Sequence, residues 1–125
     1  MSLLVMFAVS CQKDPGEGGN SSITGKVFLR NYNSSFTTLQ SEYYDPDEYV
    51  YIVYGEGPAP DDRVKTGPDG DFDFKYLRKG TYTLYVYSDD STGNSASGTV
   101  AVYKTVTITK NRQTVDAGTI TILKN

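Results

Sequence analysis

From Ile23 onward the apolar side chains recur every second residue, and no stretch carries the three-and-four spacing that would give a helix an apolar stripe. A chain patterned this way is confined to β-sheet. In ITGKVFLR (23–30) Ile23, Val27 and Leu29 share a face. In YVYIVY (49–54) Val50, Ile52 and Tyr54 share one face, and Tyr49, Tyr51 and Val53 the other. RVKT (63–66) is a short run, and DFDFKYL (71–77) turns Phe72 and Phe74 inward with Asp71, Asp73 and Lys75 outward. TYTLYVYS (81–88) turns Tyr82, Leu84 and Val86 inward; TVAVYKTVTIT (99–109) and TVDAGTITIL (114–123) complete the set. GPDG (67–70) has the residues of a β-turn, while 31–48 and 89–98 read as long polar loops. Seven short strands with closely spaced turns predict an all-β, seven-stranded β-sandwich over residues 23–125.

At 125 residues the chain suits one ordinary domain, and 11 Tyr with 5 Phe supply the bulk that absent Trp does not. It has no His and one Cys. Neither a nitrogen-and-sulfur zinc set nor a His-based triad can be assembled from that inventory, so no enzyme activity, no cofactor and no metal are expected. The opening DGDFDF (69–74) imitates a calcium loop but lacks the loop Gly and distal Glu, and its alternating Phe residues commit it to a strand. Residues 42–73 hold ten acids against two bases while the whole chain is at −3, so the remainder is net positive without a basic cluster. Nucleic acid is not an expected partner.

The pattern Gly25-x-Val27, then Thr66, Gly70, Phe72 and Phe74, then Leu77, Gly80, Tyr82, Leu84 and Val86, then Gly118, resembles the carboxypeptidase regulatory-like family. The resemblance spans most of residues 22–125 and implies a transthyretin-like (prealbumin-like) sandwich without catalytic residues of its own.

If each connection reverses the chain, the loop 31–48, the turn 67–70 and the loop 89–98 lie at one end, gathering Asp45, Asp47, Glu48, Asp69, Asp89 and Asp90. Such carboxylates could serve Ca²⁺ or simply be solvated. Spare loop length on a rigid sandwich is where recognition sits. The expected contacts for a glycan or protein partner are therefore Tyr43, Tyr44, Asp45, Asp47, Asp89 and Asp90, with rings supplying area and carboxylates orientation. A second reading uses the outward Tyr85 and Tyr87, with Tyr43, Tyr44, Tyr49 and Tyr51 close by, as a carbohydrate-binding or adhesive face. The plainer account of outward tyrosines is cross-strand pairing. The opposite end, with the loop 55–62, Arg78, Lys79, Lys110 and Arg112, is expected to take no part in binding.

LLVMFAV (3–9) has the length of a signal-peptide apolar region and is too short to span a bilayer. QKDPGEGGNSS (12–22) has no apolar side chain beyond its proline and reads as a flexible tether. Between them AVSC (8–11) resembles the lipobox of bacterial lipoproteins, which implies that residues 1–10 are removed and that Cys11 carries acyl chains. Two or more such chains anchor stably, each buried methylene contributing about 0.8 kcal/mol. The alternative for Cys11 is a small apolar residue of an N-terminal strand. The expected protein is a non-enzymatic lipoprotein of the outer membrane or cell surface, held to the membrane by its anchor and acting as a binding or structural module. Cys11→Ser is expected to abolish lipid labelling of the mature chain, and labelling that survives the change would end the lipoprotein reading.

Overall fold

The computed structural model describes residues 14–125, so the proposed signal segment (1–10) and Cys11 lie outside the described residues. Its elements are β1 (Glu17–Tyr32), β2 (Leu39–Tyr44), β3 (Tyr49–Tyr54), β4 (Asp62–Lys65), β5 (Asp71–Leu77), β6 (Gly80–Asp89), β7 (Thr99–Ile108) and β8 (Thr114–Lys124). They form two four-stranded sheets. In the second sheet the order is β4-β3-β6-β7, every neighbour antiparallel. In the first, β1 is antiparallel to β5 and to β2 and parallel to β8.

The faces follow the period-two pattern. Ile23, Val27 and Leu29 of β1, Val50 and Ile52 of β3, Phe72 and Phe74 of β5, and Tyr82, Leu84 and Val86 of β6 are buried in one core, closed by Ile120 and Ile122 of β8. Gly25 sits among them because a methyl group there would stand 2.5 Å from the Phe72 ring and 2.9 Å from the Gly118 carbonyl oxygen. The phenol of Tyr82, the largest fully buried side chain, accepts from Gly16 N (2.8 Å) and donates to Arg78 O (2.6 Å), so its polar atom is satisfied within the core.

Two expectations are corrected. The sandwich has eight strands, not seven, because Leu39–Tyr44, inside the expected loop 31–48, pairs with β1 as β2. All six of its residues are exposed, so burial cannot explain it. Cross-strand pairs do: Arg30 meets Glu42 at 3.3 Å, the Phe28 and Tyr44 rings meet edge-on at 5.1 Å, and Lys26 lies 4.9 Å from the Tyr44 ring. The expected tether is likewise strand from Glu17, where β1 begins. Arg78 holds this entry: its Nε donates to Asp14 O at 2.6 Å, its Nη1 to Glu17 O, and Gly16 O accepts from Arg78 N at 2.8 Å. Residues Gly18 to Asn20 are accommodated as a bulge, both Glu17 and Ser21 being paired with Leu77. A side chain at Gly19 would collide with the Leu77 carbonyl oxygen, which would lie 2.1 Å from its Cβ.

Leu84 is fully buried and Phe74 nearly so. Truncating either to Ala is expected to destabilise the domain by about 2–5 kcal/mol through lost transfer energy and the cavity left behind. Denaturant unfolding measures this, and near-wild-type midpoints for both variants would contradict the assigned faces.

Candidate functional site

The two loops expected to share one end do so. Asn125 joins them, its N–H donating to Asp89 Oδ2 at 3.1 Å and its side-chain amide to Ser34 O at 3.2 Å. Lys124 brings in the β2–β3 connection, its Nζ standing 2.8 Å from Glu48 Oε1 and 4.0 Å from Asp45 Oδ2. The six expected contact residues do not, however, form one surface. Tyr43 and Tyr44 are half-exposed on β2, at the rim of the first sheet, and line none of the grooves described below. Asp47 is exposed, and Asp45 is almost buried at 7 %.

The carboxylates at this end serve mainly to shape loops. Asp90 Oδ1 accepts from Thr92 N (2.9 Å) and Thr92 Oγ1 (2.6 Å), and Oδ2 from Ser95 N (2.7 Å). Those donors hold its pKa below the ordinary aspartate value, with the Thr92 hydroxyl contributing most. Thr66 staples the 45–48 turn, its hydroxyl donating to Asp45 O at 2.5 Å and accepting from Glu48 N at 2.9 Å. Asp45 pays for this position: its Oδ2 is buried without a hydrogen-bond donor. Burial first, then the hydrogen bond and charge of Glu48, push its carboxyl up to about 6, against the pull of Lys124. Burial alone would lower the Lys124 ammonium, yet contact with Glu48 and the charges of Asp45 and Asp89 raise it overall. Among the described residues no three acidic, His or Cys side chains are grouped to hold a metal ion. A groove of about 690 Å³ opens beside the 89–98 loop, floored by Val100, Val102 and Leu123 and walled by Asp89, Asp90 and Ser95.

A different surface collects the tyrosines. Strand parity sends Tyr49 and Tyr51 of β3, Tyr85 and Tyr87 of β6 and Tyr103 of β7 to the outer face of the second sheet. Register then aligns Arg63, Tyr51, Tyr85 and Tyr103 in one row across all four strands. Tyr51 and Tyr85 stack at 5.1 Å with planes 14° apart. Tyr87 and Tyr103 each lie 5.6 Å from Tyr85, inclined at 84° and 52°. Arg63 caps Tyr49 at 4.1 Å. Tyr85 is only 8 % exposed on a face that looks to solvent, because its neighbours and the β3–β4 connection enclose it; Tyr87 and Tyr103 remain open at 47 % and 67 %. That connection, expected to sit idle at the other end, lines a groove of about 390 Å³ with this face: Gly55 to Pro60 form one side, and Thr83, Tyr85, Tyr87, Ala101 and Tyr103 the floor. Asp61 anchors the connection by accepting from Tyr54 N at 2.7 Å and donating its own N–H to Ile52 O at 2.8 Å.

Of this face, parity shows Tyr85 and Tyr87 in the sequence, and Tyr49 and Tyr51 likewise, whereas Tyr43 and Tyr44 belong to the other sheet. Tyr103 and Glu56 were missed. The alternation of TVAVYKTVTI could have found Tyr103, since Ala101 and Tyr103 fall opposite in phase to the buried Val106 and Ile108.

Residues 63–116 match the family model described as polysaccharide lyase family 4, domain II. Among solved structures, this chain is similar to a protein of Pseudomonas aeruginosa whose suspected role is carbohydrate binding. The identity is 16%, the TM-score 0.50, and the alignment covers 95% of this chain and 96% of that one. This likeness concerns the fold, and a β-sandwich is what both findings support. No curated protein sequence matches.

Because the folded state holds the Asp45 proton more tightly than the unfolded chain does, stability is expected to fall as pH rises from 3.8 through about 6 and to stay lower above that window. Asp45→Asn should flatten that part of the profile and raise Tm at neutral pH. Thermal melts of both proteins across the window check this, and parallel profiles would refute it.

Proposed function

We propose that this protein is a non-enzymatic, carbohydrate-binding β-sandwich module that engages its ligand through the tyrosine face of the second sheet. The observation that carries this reading is the groove itself, in which Tyr85, Tyr87 and Tyr103 lie beneath the Gly55–Pro60 connection. Flat rings take the apolar faces of sugar rings, while phenol hydroxyls and Thr83 meet their hydroxyls. Cross-strand pairing accounts for Tyr51 on Tyr85, but it gives no reason for Tyr103 to stay 67 % exposed beside a preformed groove. The similarity to domain II of polysaccharide lyase family 4 and to a protein with a suspected carbohydrate-binding role supports the same class of ligand.

The finer resemblances belong to this proposal. Gly25, Gly80 and Gly118 occupy structural positions, in keeping with a carboxypeptidase regulatory-like, transthyretin-like sandwich. Lipid attachment at Cys11 would display the module at the outer membrane or cell surface, as a binding or structural component. Protein adhesion through the same rings is the second reading, favoured by the enrichment of Tyr at protein interfaces.

A glycan array probed with the wild-type chain and with the Tyr87→Ala, Tyr103→Ala double variant tests the proposal. Both side chains are largely open, so the variant is expected to fold normally and to lose binding at least tenfold. Glycan binding that is unchanged in the folded variant would move the site elsewhere on the molecule.

A further inference from the structure

The charge and shape of the tyrosine groove narrow its ligand further, given the carbohydrate reading on which this step rests. We infer that the groove takes an internal segment of a neutral polysaccharide chain, lying across the strands, with Glu56 accepting hydrogen bonds from its hydroxyls.

Among the described residues lining the groove, Glu56 is the only charged one. The aromatic floor adds to its field, because a π-system presents a negative face. A polymer carrying a carboxylate or sulfate on each repeat would bring like charge against Glu56 with no cation in the groove to offset it. The cations of the face, Arg63 and Lys65, lie outside the groove on the β4 edge and are set against the Tyr49 ring at 4.1 and 5.2 Å. Neutral sugar hydroxyls, by contrast, are donors that suit a carboxylate, and a hydrogen bond to an ionised acceptor is about twice as strong as one between neutral groups.

Shape decides between a chain and an end. Across the strands the groove runs from Val53 of β3 over Thr83 and Tyr85 of β6 to Tyr103 of β7, two strand spacings or about 10 Å, which is longer than one sugar ring. It ends at β7, the edge strand of its sheet, so no further strand stops a chain from running on past Tyr103. The Gly55–Pro60 side, with Pro58 and Pro60 restricting its backbone, orients a chain along that line without sealing the groove.

Affinity electrophoresis of the full chain tests this, with neutral polymers (mixed-linkage β-glucan, xyloglucan, galactomannan, dextran) and acidic ones (polygalacturonate, alginate) cast into separate gels. The expected result is retardation by at least one neutral polymer and by neither acidic polymer. Glu56→Gln, on an exposed connection, should weaken the neutral interaction about tenfold, the loss of one charge-assisted hydrogen bond. The constituent monosaccharide, in excess, should fail to release the protein. Retardation by acidic polymers alone, or an unaltered Glu56→Gln variant, would overturn the neutral-chain assignment and leave the carbohydrate reading standing. Release by the monosaccharide would overturn the extended-chain part. Retardation by no polymer of either set would defeat the carbohydrate reading itself.

Discussion

At Val27 one edge of β1 changes partner. The Val27 N–H donates to Gly70 O at 2.8 Å, the last bond toward β5, and the Val27 carbonyl accepts from Asp45 N at 2.9 Å, the first toward β2. A sixteen-residue strand can thereby support two short antiparallel neighbours on one edge, while β8 takes the other. Much of the upper end of the sandwich follows from this hand-over. It brings the β2–β3 connection against the turn before β5, where Gly70, at φ 74°, leaves no room for a side chain beside Tyr44 and Asp45. It also fixes the Asp45 backbone where its carboxylate is almost buried, so the acid nearest the hand-over is the one that holds its proton more tightly.

The core was legible because burial and parity coincide. Ile23, Phe74, Leu84 and Val86 lie where alternation puts them, and a shift of one residue would have turned every one of them to solvent. The two missed stretches of strand are those in which nothing is buried to mark a face. LQSEYY is exposed throughout and owes its pairing to Glu42 and Tyr44 meeting residues of β1 that are far away in sequence. EGGNSS lacks apolar side chains, and its path is imposed by Arg78, by Ser21 Oγ donating to Lys110 O at 2.8 Å, and by Asn20 accepting from Arg112 N at 3.0 Å. Such long-range polar contacts leave no local period.

The candidate site was legible in part for the same reason. Parity is enough to send Tyr85 and Tyr87 outward, but the register that places Tyr103 beside Tyr85 depends on how β6 and β7 align. The path of Gly55 to Pro60 along that face depends on Asp61 tying the connection to Tyr54 and Ile52. The acids at the loop end mislead for a complementary reason: composition counts Asp45, Asp89 and Asp90 as available, whereas backbone hydrogen bonds engage Asp89 and Asp90 and burial withdraws Asp45.

Parallel pairing of β1 with β8 also governs how this domain would bear force. The ladder runs from Ser22 opposite Thr114 to Asn31 opposite Lys124, so the chain enters at the foot of one strand and leaves at the head of its neighbour. Tension applied between those two points pulls the strands past each other lengthwise. Every rung between them is then strained together, and none can be peeled away first as in a hairpin opened from its free ends. The load at which such a pair parts is therefore set by the whole ladder and not by its end rung.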